Sequence, residues 1–202
     1  MANFDLDSTI QELARSVEEL PIRSKAALFG ACAEVLVPLL DEVERRTSSK
    51  WTFSATRIAL DLVPPFIEGG SAQGDHLELR KRILAAGPNG HEHDSPWSSY
   101  AQDALTCADA ALVAASTLGD LDFKPIWIQY VINPMVVSLD VQGYDVEFSP
   151  GPVGGNELQV QLDRVIAFLH SATARLSLQA VDRVTYRDLV EEAEIIRPTV
   201  LE

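Results

Sequence analysis

Apolar residues recur at spacings of three and four along most of the chain, and that period sets out a series of amphipathic helices. In the first, from Ser8 to Leu20, the residues Ile10, Leu13, Ala14, Val17 and Leu20 form one stripe, and Ser8 with Gln11 makes a capping box. Pro21 suits the first turn of a second helix, whose stripe of Leu28, Cys32, Val35, Leu36, Leu39 and Val43 runs on to about Arg46. Pro38 falls inside that stripe. Its ring removes one backbone hydrogen bond and collides with the carbonyl four residues back, so a kink is expected between Glu34 and Pro38.

A third helix is capped by Ser54 and carries Ile58, Leu62 and Phe66, with Pro64-Pro65 bending or ending it before Gly69-Gly70. A fourth, Asp75 to Ala86, places Leu79, Ile83 and Ala86 on one stripe and closes at Gly87-Pro88. The polar stretch Asn89 to Ser99 reads as a surface loop in which Pro96 leads into the next helix. That helix, Trp97 to Leu118, contains ALTCADAALVAAS, so rich in small residues that a neighbour can approach it closely, and it belongs at the centre of a bundle. Asp103 and Asp109 are its only acids. Carboxylates are rarely fully buried, so the plainer expectation is that both face water; buried, each would need an arginine or backbone donors.

Between Pro125 and Val141 the β-branched residues Ile126, Ile128, Val131, Ile132, Val136 and Val137 favour a strand locally. No second strand pattern exists to pair with it, so a kinked helix is expected. Gln142 to Gly155, with four glycines and two prolines, is a loop with a short extended piece at Tyr144 to Phe148. Asn156 caps a long helix to about Leu178, and Thr185 with Asp188 starts a final one that ends before Pro198. The expected fold is therefore all-α, a single domain over residues 1–202, built as a compact bundle of about seven or eight helices around the Ala-rich one.

The 202 residues are 47% hydrophobic, enough for one substantial core. Thirty acids against 16 bases leave a net charge of −14, a potential that repels nucleic acid and anionic lipid and favours basic partners. Cys32 and Cys107 lie inside apolar helical patterns, which predicts buried free thiols and not a disulfide framework. The start, MANFDLDSTIQ, lacks a basic region followed by an apolar one, and no run reaches the roughly 18 to 20 apolar residues that cross a bilayer. A cytoplasmic location is expected.

Two segments carry a family resemblance. LARSVEELPIRSKAALFGACAEVLVPLL through TRIALDLVPPF, followed by DSPWSSYAQDALTCADAALVAASTLGD, resembles the YjaG-like family of uncharacterised bacterial proteins, domain-of-unknown-function family 416. Cys32, Glu34, Leu36 and Pro38 match its second helix, and Tyr100, Asp103, Ala104 and Ala108 match the opening of its alanine-rich helix. The resemblance spans roughly Leu13 to Leu139 and implies a compact all-helical bundle. It implies no activity.

His91, His93 and Asp94, with Asp75 and His76 near them in sequence, are the one candidate metal set, but His-Glu-His in a loop lacks the spacing of a zinc helix. Neither a nucleophile elbow nor a phosphate loop occurs; the glycines of SPGPVGGN have no lysine after them. No catalytic residue, metal or cofactor is expected. Tyr144, Asp145, Glu147 and Phe148 interleave acids with aromatics, the composition of a surface aimed at a basic partner. The function expected is thus non-enzymatic protein binding, in concrete form an immunity-type inhibitor of a basic toxin or nuclease. The alternative is an enzyme or small-molecule binder with an interhelical site around Asp103, Asp109 and Arg57, Arg80 or Arg82. A homodimer joined through the Ala-rich helix or the Ile126 to Val137 segment is the third reading.

Overall fold

Prolines divide the first part of the chain at two places. The computed structural model describes residues 6–47, 53–70, 75–87, 96–116, 123–141 and 156–198. Helix α1 spans Leu6–Glu18, α2 Ile22–Leu36 and α3 Pro38–Thr47. Val37, between α2 and α3, keeps helical dihedrals and still donates its N–H to the Ala33 carbonyl at 2.8 Å. Pro38 has no N–H to offer, and Leu40 bonds back to Val37 at 2.9 Å in a tighter turn. The expected kink is therefore a full break. Helices α4 (Ser54–Asp61) and α5 (Val63–Ile67) repeat the device, because Pro64 and Pro65 sit in the first turn of α5, where no backbone donor is needed. That unit closes at Gly69, in the left-handed region with φ of 96°.

After α6 (His76–Ala85) and α7 (Pro96–Ala115), a 3-10 turn at Pro125–Ile128 leads into α8 (Gln129–Val141). Then come α9 (Asn156–Leu178), α10 (Arg183–Ala193) and a closing 3-10 turn at Glu194–Ile196. With the proline-broken pairs and the attached turns taken as single units, these make eight helical units and no strand among the described residues. The β-branched segment is helical, as expected, and Pro134 lies inside α8. Burial explains why local strand preference loses there: Ile128, Val131, Ile132 and Met135 are all in the core.

Several helix starts differ from expectation, one of them at Asn156, expected as a cap and found as the first residue of α9. Ser8 lies inside α1, which begins two residues earlier at Leu6, so it is not the N-cap residue. Ser54 is the first residue of α4, preceded by Phe53 with no side-chain cap. The cap of α10 is Asp182, whose Oδ1 accepts from the Thr185 N–H and the Thr185 hydroxyl, both at 2.8 Å. An aspartate accepts both bonds at once, so the helix starts before Thr185 and runs through Asp188.

The centre is α7 against α2. Between Tyr100 and Ala115 every residue except Gln102 and Thr106 is buried; between Ser24 and Leu36 every residue except Glu34 is. A helix apolar on all sides must be covered on all sides. The two run against each other, α3, α4, α6 and α8 also pack on α7, and α5, α9 and α10 pack on α2. The Ser24 hydroxyl donates to the Leu176 carbonyl of α9 at 3.1 Å, and Phe29 meets the Phe123 ring edge to face at 5.4 Å.

Gly30 is where α5 and α10 both press on α2. A Cβ there would meet Val63 Cγ1 at 2.9 Å and the Tyr186 hydroxyl at 3.1 Å. Gly30→Ala gains about 1 kcal/mol of helix propensity, yet overpacking of this kind typically costs about 1–3 kcal/mol. The urea midpoint of Gly30→Ala is expected to fall with an unchanged slope; a rise would show that α5 and α10 are not seated there.

Candidate functional site

Asp103 and Asp109 are six residues apart on α7, a turn of about 600° at 3.6 residues per turn, so they face different neighbours. Both are buried, at 1% and 3% exposure, contrary to the expectation that they face water. The reason is the enclosure of α7: with helices packed around it, solvent reaches only the strip at Gln102 and Thr106, and neither acid lies on that strip. Asp109 meets α6, where Arg80 Nε donates to its two carboxylate oxygens at 3.0 and 3.3 Å. Asp103 meets α8, where Asn133 Nδ2 donates to both oxygens at 2.9 Å.

These pairs differ in charge, and the difference sets their chemistry. Arg80 brings a full positive charge to Asp109. Asn133 brings only a dipole, so burial dominates and pushes the Asp103 carboxyl up to about 8, the amide offsetting only part of the shift. One turn before it, Tyr100 is buried beside Ser138, its hydroxyl lacking a hydrogen bond of good geometry; burial is the main cause that raises it, with the Asp103 charge adding to this and the Ser138 hydroxyl opposing it. Tyr100, Asp103, Asn133 and Ser138 thus form a polar patch in an apolar interface.

The thiols behave as packing groups. Cys32 and Cys107 are free and fully buried, as expected. Burial pushes Cys32 up to about 12, and Cys107 is raised by burial, by Cys32 and by Asp103. Neither thiolate forms near neutral pH, so neither is a nucleophile as it stands.

Clefts open at the surface among the described residues. One of about 310 Å³ between α1 and α8 is lined by Leu6, Asp7, Ile10, Gln129, Asn133 and Val136. Asn133 therefore stands between this cleft and the buried Asp103. A second, about 470 Å³, lies beside Arg23, Ile67, Glu68 and Arg183. A third, about 480 Å³, adjoins it through Arg183 and Val184 and is bounded by Glu34, Pro64, Tyr186, Arg187 and Val190.

The residues proposed for partner binding, Tyr144, Asp145, Glu147 and Phe148, lie outside the described residues, as do His91, His93 and Asp94. Asp75 caps α6, accepting from the Glu78 N–H at 2.9 Å, and His76 is the first residue of that helix. Among the described residues no group of three or more His, Cys, Asp or Glu side chains is placed to hold a metal ion. The arginines expected around the α7 acids are dispersed: Arg80 joins Asp109, Arg57 bonds Asp41 at 2.8 and 2.9 Å, and Arg82 is exposed. Sequence reasoning missed Asn133. Its signal was an amide, one of two with Gln129, in an otherwise apolar run.

No family model matches the chain, and no curated protein does. Among solved structures, a DUF416 family protein from Shewanella baltica OS155 superposes with a TM-score of 0.67. The match covers 89% of this chain and 92% of that one at 10% sequence identity. At that identity the likeness is one of fold, and it bears out the all-helical architecture that the family resemblance implied.

The Asp103 environment makes stability depend on pH. In the unfolded chain its carboxyl ionises near ~4; in the fold it holds its proton up to about 8. Stability from this group is fully present below ~4, is lost as pH rises, by up to ~1.4 kcal/mol per pH unit, and levels off above the folded value. Asp103→Asn is expected to flatten this slope and to be more stable than the parent at pH 8.5 in urea titrations. Equal slopes for both proteins would show that Asp103 is ionised in the native state.

Proposed function

We propose that the protein is a non-enzymatic protein-binding bundle, in concrete form an immunity-type inhibitor that covers the basic active site of a toxin or nuclease. The observation that carries this reading is where the negative charge lies. The core acids are taken up internally by Asn133 and Arg80. Glu12, Glu18 and Glu19 at α1, Asp61 on α4 and Glu191 on α10 are all exposed, in a chain of net charge −14. Such a surface steers a cationic partner in and rejects phosphate backbones.

The contact is assigned to Tyr144, Asp145, Glu147 and Phe148, whose aromatics supply buried area and whose acids supply complementarity. No helix among the described residues is long and apolar enough to cross a membrane. A cytoplasmic location, where a toxin would have to be neutralised, belongs to the same reading. Tagged protein incubated at low salt with lysate of its source cells is expected to retain one basic protein in stoichiometric amount and to release it at high salt, because screening shortens the reach of charge to ~3 Å at 1 M. Asp145→Lys with Glu147→Lys should slow association about tenfold or more. If every basic candidate is ignored at low salt, the reading fails.

A further inference from the structure

The cleft between α2, α5 and α10 carries opposed charges that do not satisfy each other. Glu34 is the one exposed residue of α2 between Ser24 and Leu36, and it stands on one side. Arg183 and Arg187, four residues apart on one face of α10, line the same cleft. No ion pair joins them across it. Arg183 leans on Glu68 at 3.6 Å, and Arg187 has no ion pair among the described residues. The Glu34 carboxyl is raised by burial first and by the Asp61 charge second, with the Arg57 charge opposing them.

Between the charges the lining is apolar: Pro64, Val184, Val190 and the ring of Tyr186. Tyr186 is itself buried, its hydroxyl without a hydrogen-bond partner, set against Gly30. A volume of about 480 Å³ lies within the range of small-molecule sites. Carboxylate on one wall, guanidinium fork on the other and an apolar lining between them match a molecule with an ammonium, a carboxylate and an apolar body.

We propose that this cleft binds a small zwitterion of the amino-acid or dipeptide class, its ammonium against Glu34 and its carboxylate against Arg187 and Arg183. The site is independent of the protein-binding reading, since it uses no residue of the 144–148 segment. The test titrates the full chain by calorimetry with leucine, alanyl-leucine, N-acetyl-alanyl-leucine and alanyl-leucinamide. Leucine or alanyl-leucine is expected to bind saturably, and whichever binds names the size of the ligand. If alanyl-leucine binds, each blocked peptide should bind at least tenfold more weakly. Glu34→Gln and Arg187→Gln, both at exposed positions, should keep the parent's thermal midpoint and each weaken binding at least tenfold. Glu34→Gln should erase the discrimination against the acetylated peptide, and Arg187→Gln that against the amide. No saturable binding of leucine or alanyl-leucine at millimolar concentration would overturn the proposal, as would blocked peptides or variants that bind as well as the originals.

Discussion

The structure depends on one helix being enclosed on nearly every side. From Tyr100 to Ala115 only Gln102 and Thr106 reach the surface of α7, and alanine makes that enclosure possible. Alanine is the best helix former, and its single Cβ lets neighbouring backbones come close on several sides at once. Helices α2, α3, α4, α6 and α8 all pack on it. Asp103 and Asp109 are consequences of this arrangement, since a carboxylate on a covered helix must find a partner within the fold.

Enclosure also explains which features were legible in the sequence. An interruption at Pro38 and at Pro64-Pro65, a helix beginning near Asp75 and the burial of both thiols follow from local pattern or from a residue's own chemistry. The central place of α7 followed from its composition. The error over Asp103 and Asp109 came from weighing how acids usually behave above how this helix is patterned. ALTCADAALVAAS is apolar on every face, and a helix of that kind leaves its acids no water to meet. Their partners, Asn133 and Arg80, are remote in sequence on helices whose contacts with α7 only the tertiary structure shows. The start of α10 was misplaced because Asp182, Thr185 and Asp188 are all fair helix starters, and only the bonded geometry at Asp182 chooses among them.

The division between a closed interior and an open, charged exterior organises the functional reading. Inside, the acids have partners and the thiols are held protonated. Outside, acids dominate, and guanidinium groups gather in two adjoining clefts along α10 that share Arg183. Glu34 and Arg187 come from opposite ends of the chain. No periodicity or motif links them; the packing of α10 on α2 at Gly30 brings them to one cleft.

Native-state hydrogen exchange is the most direct measure of whether the fold hangs on α7. If it does, the amides from Ala104 to Ala115 exchange only through global unfolding, with the full unfolding free energy and the full denaturant dependence, while α1 and α10 open at lower cost. Exchange of those α7 amides through a smaller, denaturant-insensitive opening, with α1 or α10 better protected, would contradict the central place given to this helix.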